Sequence, residues 1–368
     1  MKTQKRLGIL TSGGDCPGLN TVIRAVVSNA TLTYDWQVLG IPYATKGLLE
    51  TKAIPLSLHC LDLRGIDPLL SMGGTILGSI NQGDTMTQID DILAGYQALE
   101  LDALIGIGGD GSLGILNELS KKGNWQFIGI PKTIDNDVAL TERVVGFDTA
   151  VNTVVDALNR LTYTAASHDR VMIVEVMGRT AGHLALHSGI AGGADVILIP
   201  EIPYTIKDVC DHLRLLRNRW GRRFAIIVVA EGAKTAIDFS YASCGQPTCG
   251  IGQQIAEEIR SYSNQHIDIR VSVLGHIQRG GIPSALDRLI ATAFGKAAVD
   301  LVANGQSGKM VAWQNNEVVA FPLETVLSQS PALVDPNNYL VQTARSLGIY
   351  IGNPTIQSVE ESPYLSCC

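Results

Sequence analysis

No stretch of about 18 apolar residues runs free of charge in this sequence, so no membrane span is expected. A basic tail is also missing. With a formal net charge of −7, bulk nucleic-acid binding is excluded, and any anion must be held by local clusters. Met1 to Arg6 lead directly into a strand-like segment followed by Gly13-Gly14. No long apolar region or small-residue cleavage site follows, so the start reads as a poor signal peptide and a cytoplasmic location is expected. The seven cysteines (Cys16, Cys60, Cys210, Cys244, Cys249, Cys367 and Cys368) are odd in number and irregularly spaced. They make neither a disulfide framework nor a tight CxxC zinc pair, and read as reduced thiols. Only Cys244/Cys249 and the adjacent Cys367-Cys368 are placed as possible redox handles. Aromatics are scarce at 5%, and no low-complexity linker marks a domain boundary.

What the chain does have is short apolar runs alternating with helical patterns. Strands are expected at Leu7–Leu10, Val38–Ile41, Ala103–Ile107, Phe127–Ile130, Val171–Val176, Val196–Ile199, Ala225–Ala230 and Arg270–Leu274. Pro17 is expected to open the first helix, whose apolar positions run Leu19, Val22, Ile23, Val26, Val27 and Ala30. Further helices are expected at Ile206–Arg219 and Ile251–Tyr262. Lys309–Trp313 and Glu317–Phe321 flank Asn315-Asn316, the signature of a hairpin. This alternation defines an α/β chain with largely parallel sheets covered on both faces. There are too many strands for one compact sheet, so two α/β domains are expected.

In such folds ligands bind beyond the carboxyl ends of the strands, and the unusual clusters of this sequence fall there. Gly14 follows the first strand, and Gly109-Asp110-Gly111-Ser112 follows the Ala103 strand. Glycines let phosphate oxygens reach backbone N–H groups, and a helix N-terminus favours an anion. Asp110 cannot bind phosphate itself but can hold Mg²⁺ that bridges to it. Alternatively, this is a plain Gly-rich turn with a capping Asp, and "GGDGS" also occurs in enzymes resembling NAD and diacylglycerol kinases.

"PKTIDND", Pro131 to Asp137, is more specific. Asp135 and Asp137 lie two residues apart; one can accept a proton from an attacking hydroxyl while the other orients or helps with metal. Thr133 can donate to a transferring phosphate, and Lys132 can place positive charge on it. Arg170 opens the Val171 strand and Arg179 follows its end, a span of roughly 30 Å if fully extended. One pocket in one chain cannot easily use both. Arg270 likewise opens a strand that His276 and Arg279 follow. Either the strand-start arginines are surface charges, or they serve a neighbouring subunit in a symmetric oligomer.

Taken together, "LTSGGDCPGLN", "GGDGS", "PKTIDND", "SHDRVMIVEVMGR", "IAGGADVILIPE" and "LGHIQRGG" resemble the 6-phosphofructokinase family, in its order, from about residue 7 to about 325. The resemblance implies two Rossmann-like three-layer αβα domains with the active site between them. It places a nucleotide- and magnesium-binding domain at 1–145 plus about 278–328, and a sugar-phosphate domain at 146–277 plus about 329–368. It implies phosphoryl transfer from Mg-ATP to the 1-hydroxyl of fructose 6-phosphate, the committed step of glycolysis, in a homo-oligomer, usually a tetramer. By resemblance, Asp135 is the base and Asp110 the magnesium-associated carboxylate, with Thr133 and Asp137 completing the loop. Met177, Gly178, Arg179 and Glu231 contact the sugar, and Arg179 also stabilises the transition state. His276 and Arg279 grip the 6-phosphate, and Arg170 and Arg270 come from the neighbouring subunit. Gly14, Asn81, Gln82, Gly109, Gly111 and Ser112 fall on the nucleotide side.

Several positions depart from the commonest bacterial pattern. An Asp after the magnesium carboxylate resembles the diphosphate-dependent enzymes, because it fills and repels the place of the nucleotide α-phosphate. Here Gly111 leaves that place open. Lys132 is the opposing signal, since the common nucleotide enzymes have Gly there. Gly111 with Lys132 resembles a mixed subgroup that mostly uses ATP, and ADP or diphosphate are the alternative donors. Asn81 stands where an Arg usually touches the transferring phosphate, and Lys132 is expected to substitute for it. Arg24 is kept at the family's effector site, but Ser28 and Thr162 replace arginines, so effector control is expected to be weak or different. A catalytically silent sugar-phosphate sensor is the rival from another class. Intact Asp110, Thr133, Asp135 and Arg179 argue against it.

Overall fold

The computed structural model describes residues 4–58, 67–80, 87–236, 250–263 and 267–353. The chain divides into two compact units: unit 1 comprises 1–150 with 279–332, and unit 2 comprises 151–278 with 333–368.

Unit 1 is built on a seven-stranded sheet of order β11-β10-β5-β4-β1-β2-β3. Its strands are β1 (Arg6–Thr11), β2 (Gln37–Gly40), β3 (Ile54–Leu56), β4 (Ala103–Gly108), β5 (Phe127–Pro131), β10 (Lys309–Gln314) and β11 (Glu317–Pro322). The central strands are parallel, and β3 and β11 add antiparallel edges. Every residue of β4 is buried, as a strand covered on both faces requires. Each buried Leu or Ile there contributes about 1.5–3 kcal/mol. The β10–β11 hairpin turns on Asn315 and Asn316, at φ 51° and 63°, the left-handed pair that a two-residue turn needs.

The first helix, α1 (Leu19–Tyr34), starts two residues later than Pro17 predicts. Gly18 takes the N-cap position at φ 103°, and a Cβ there would lie 2.6 Å from the Val145 side chain. Pro17 therefore belongs to the approach turn, because only glycine fits the bend that aims the helix. The short edge strand β3 carries no strong alternation and was not expected from the sequence.

Unit 2 holds a parallel four-stranded sheet of order β7-β8-β6-β9. Its strands are β6 (Val171–Val176), β7 (Val196–Leu198), β8 (Ala225–Ala230) and β9 (Ile269–Val273). One face is covered by α7 (Ile206–Trp220) and the helix Ile251–Tyr262, with Val209, Leu213, Leu216, Ile255 and Ile259 packed on Ile173, Ile227 and Val229. The C-terminal segment adds to the β7 edge: Ile197 N–H donates to the Tyr350 carbonyl at 2.8 Å, and Tyr350 N–H donates to the Asp195 carbonyl at 3.0 Å. That pairing covers a row of backbone groups an edge would otherwise expose.

Candidate active site

In unit 1 the chain builds β2 on one side of β1 and β4 on the other. The crevice at the carboxyl ends of β1 and β4 is thus a topological switch point, where α/β sheets bind ligands. The two loops leaving these strands touch. Ser12 N–H donates to the Ile107 carbonyl at 2.9 Å, and the Ser12 and Ser112 hydroxyls lie 3.1 Å apart. β4 stops at Gly108, Gly109 caps the next helix, and α4 (Asp110–Gly123) begins at Asp110. The Asp110 carboxylate accepts from the N–H of the next residue, Gly111, at 2.7 Å. A Cβ on Gly111 would meet nothing within 4 Å, so residue 111 borders open space.

Lys132, directly after β5, is 3% exposed, and its ammonium donates to the Gly14 carbonyl. Its Nζ would lie 3.3 Å from a Cβ on Gly13, and Ser112 Oγ 3.0 Å, so Gly13 is walled by both side chains. Burial pushes the Lys132 pKa down, and the nearby Arg279 guanidinium lowers it further against partly compensating anions. Arg279 donates to the Asp15 carbonyl at 3.2 Å and lies against Gly14, where a Cβ would come within 2.7 Å of Nη1. Two cationic side chains, Lys132 and Arg279, therefore meet the Gly13–Asp15 loop at the end of β1, an arrangement suited to an anion.

The Lys132–Asp137 loop is pinned at several points. Lys132 N–H donates to the Gly108 carbonyl at 3.0 Å, Thr133 N–H to the Val145 carbonyl at 3.2 Å, and Ala332 N–H to the Asp137 carbonyl at 2.6 Å. The Thr133 hydroxyl accepts from Asp135 N–H at 3.1 Å, a local turn that fixes the Thr133 side chain. Asn136 takes the left-handed conformation at φ 52°, and its amide ties the loop to Glu142 and Val144.

In unit 2, Met177, Gly178 and Arg179 follow β6, and Glu231 follows β8. Gly232 N–H donates to the Gly178 carbonyl at 3.2 Å, and Glu231 N–H to the Val176 carbonyl at 2.9 Å, which locks the two loops together. His276 lies in the 3₁₀ turn Gly275–Arg279 after β9. The turn is anchored by Gln278, 0% exposed, whose amide accepts from Met177 N–H at 3.2 Å and donates to the Gly275 carbonyl at 2.8 Å. Gln278 was not expected from the sequence. A buried amide flanked by Ile277 and Arg279 carries no local signal of its role.

Arg170 and Arg270 lie at the amino ends of the neighbouring strands β6 and β9, the opposite end of the sheet from Arg179 and His276. Both pair with Asp268. Arg24 pairs with Asp67 within unit 1. Asn81 and Gln82 lie outside the described residues, as do Cys60, Cys244, Cys249, Cys367 and Cys368. Among the described residues, no group of three or more His, Cys, Asp or Glu side chains forms a metal cage, and no helix is long and apolar enough to cross a membrane.

With that geometry in place, comparison with known proteins is informative. Residues 6–302 match the family described as phosphofructokinase. A protein of Nostoc sp. named ATP-dependent 6-phosphofructokinase 2 is 70% identical over 96% of this chain and 100% of its own length. Phosphofructokinase from Pichia pastoris, solved in the T-state, superposes with a TM-score of 0.78 at 30% identity, covering 95% of this chain. This chain spans 37% of the length of that yeast chain. A pyrophosphate-dependent phosphofructokinase from Nitrosospira multiformis superposes with a TM-score of 0.79 at 20% identity, over 95% of this chain and 93% of that one. It shares the fold. The chain belongs to the phosphofructokinase family.

Proposed function

We propose that this protein transfers the γ-phosphoryl group of Mg-ATP to the 1-hydroxyl of fructose 6-phosphate, giving fructose 1,6-bisphosphate and ADP. The observation that carries the donor assignment is the open space beside Gly111, directly after Asp110 in the first turn of α4. A nucleotide's additional phosphate and nucleoside need that space, whereas diphosphate does not. The name of the Nostoc relative supports the same donor.

Unit 1 is the nucleotide- and magnesium-binding unit and unit 2 the sugar-phosphate unit. Asp135 takes the proton from the 1-hydroxyl as its oxygen attacks the γ-phosphorus, a role worth about 10²–10⁴ in rate. Thr133 donates to the transferring group, and Asp137 orients the sugar. Lys132 and Arg179 stabilise charge on the equatorial oxygens, where most catalysis of phosphoryl transfer arises. Gly14, Gly109, Gly111 and Ser112 line the polyphosphate path with backbone and hydroxyl donors, and Asn81 and Gln82 are assigned to the nucleotide side by resemblance. Met177, Gly178, Glu231, His276 and Arg279 hold the sugar phosphate.

Magnesium fits Asp110. This carboxylate stands half-buried at the open end of the turn, with one oxygen on Gly111 N–H. Mg²⁺ takes one or two protein carboxylates and fills its remaining positions with phosphate oxygens and water, so no protein cage is needed. When bound, it neutralises charge on the donor phosphates.

Arg170 and Arg270 serve the sugar phosphate of a neighbouring subunit, because they stand at the wrong end of their sheet for their own. A homotetramer in the cytoplasm, with altered effector control, completes the reading.

The test is the initial rate with fructose 6-phosphate and Mg²⁺, offering ATP, ADP and diphosphate separately. Turnover with ATP alone is expected. Turnover with diphosphate alone would make Lys132 the truer donor signal and overturn the role given to Gly111.

A further inference from the structure

Asp268 precedes β9 and sits between the two arginines assigned above to a neighbour's site. Backbone register puts it there: β6 and β9 are parallel with Val171 opposite Ile269, and Val171 N–H donates to the Asp268 carbonyl at 3.0 Å. Arg170 therefore faces Asp268 across the strand pair. Arg270 lies two residues along from Asp268, on the same side of an extended chain. The carboxylate divides itself between them. Its Oδ2 accepts from Arg170 Nε at 2.7 Å, and its Oδ1 is 3.2 Å from Arg270 Nη2.

We propose that Asp268 is a positioning residue that holds Arg170 and Arg270 together as a single two-pronged grip for a phosphate monoester. The proposal rests on the reading that these arginines meet the 6-phosphate of a sugar in the adjoining subunit. Side by side without the carboxylate, the two guanidiniums repel each other and sample many rotamers. Asp268 removes most of that repulsion and fixes both side chains at the cost of one donor each. A guanidinium has five donors, so each keeps an edge for phosphate. Arg170 binds Asp268 through Nε, which leaves both of its terminal nitrogens for a bidentate contact.

Stability does not explain the arrangement. The three side chains are 27%, 56% and 33% exposed, in the order Arg170, Arg270, Asp268, and ion pairs this open to solvent contribute only modestly to folding. What the pairing does is lower the ordering cost of binding.

The experiment is steady-state kinetics on the intact enzyme for D268N, D268E, R170A and R270A, with thermal unfolding as the control for folding. D268N is expected to raise KM for fructose 6-phosphate about tenfold, the scale of one hydrogen bond to a charged group. Its kcat, its KM for ATP and its melting temperature stay near wild type, and D268E recovers most of the loss. If R170A and R270A raise KM but D268N leaves it unchanged or lowers it, Asp268 does not position the grip and the proposal falls alone. Failure of D268E to recover any of the loss also overturns it. If R170A and R270A themselves leave KM unchanged, the underlying reading falls and takes the proposal with it.

Discussion

Lys132 donates its ammonium to the carbonyl of Gly14, across the mouth of the turn that carries Asp110. The strands before these residues, β5 and β1, flank β4, so the side chain bridges over the end of β4. An ammonium buried there is costly unless it meets an anion, since burial already depresses its pKa. In the proposed reading a transferring phosphate is that anion. Lys132→Gly is expected to lower kcat by about 10²–10³ while changing KM for fructose 6-phosphate less than about threefold. Stopped-flow and steady-state rates with saturating ATP check this, and an unchanged turnover number would refute the role.

Gly111 gives the donor prediction. A side chain there meets no protein atom within 4 Å, and an acidic residue in the first turn of a helix is favourable. Gly111→Asp is therefore expected to fold with an unchanged or slightly raised melting temperature. In the proposed reading its carboxylate meets the donor phosphates, so kcat/KM for ATP should fall by about 10² or more. The outcome that defeats the argument is a Gly111→Asp enzyme that uses ATP as well as wild type does.

Asp135 and Thr133 are joined through the Asp135 N–H and the Thr133 hydroxyl at 3.1 Å, so one local turn carries both residues. Asp135→Ser removes the base but leaves a small polar residue in that turn. Turnover should drop by about 10²–10⁴, with sugar binding by calorimetry retained. Retained turnover would point to another base, and loss of binding would point to a substrate-holding role.

Apart from β3, the strands could be read from the sequence because each carries a compact apolar run. β4 is the clearest case, with Gly109-Asp110 ending it. The helix start at Leu19 could not, because Pro17 is a good first-turn residue and nothing local reveals that Val145 crowds position 18. Motif residues were legible as chemistry. Their supports were not: Gln278 acts on Met177, about a hundred residues away in sequence, and Asp268 acts on Arg170 only because β6 and β9 are neighbours. Long-range pairing is set by topology, which a single sequence does not state.

Gln278 carries a prediction of its own. Gln278→Leu keeps the volume but leaves Met177 N–H and the Gly275 carbonyl without their partner. Both groups are only part-buried, so each loss costs at the low end of the about 1–3 kcal/mol of a buried group. Urea unfolding should show a loss on that scale, together with a raised KM for fructose 6-phosphate, because both the Met177 loop and the His276 turn loosen. A variant that is less stable but has an unaltered KM would separate the anchor from the site.

His212 is expected to contribute an acid response in unit 2. It lies on α7 with its ring 5.9 Å from that of Tyr350, and it bonds to the Asp195 carbonyl, which also accepts Tyr350 N–H. Its Nε2 is buried without a protein partner. Around it, Asp195 holds Arg222 at 3.1 Å, and the negative charge of Asp208 helps burial to raise the Tyr350 pKa. Burial lowers the His212 pKa below its ordinary value of 6.5, so the folded state holds a neutral ring. As pH falls through that ordinary value, the unfolded chain takes up a proton that the folded chain refuses, and stability is lost. Between about pH 7.5 and about pH 5.5 the wild-type melting temperature should fall more steeply than that of His212→Phe, which keeps an aromatic ring but cannot titrate. Asp195, whose pKa is raised by burial, acts in the opposite sense, but it is present in both proteins, so comparing wild type with His212→Phe isolates the histidine. Equal slopes for the two proteins would show that the contact between α7 and the C-terminal segment is indifferent to His212 protonation.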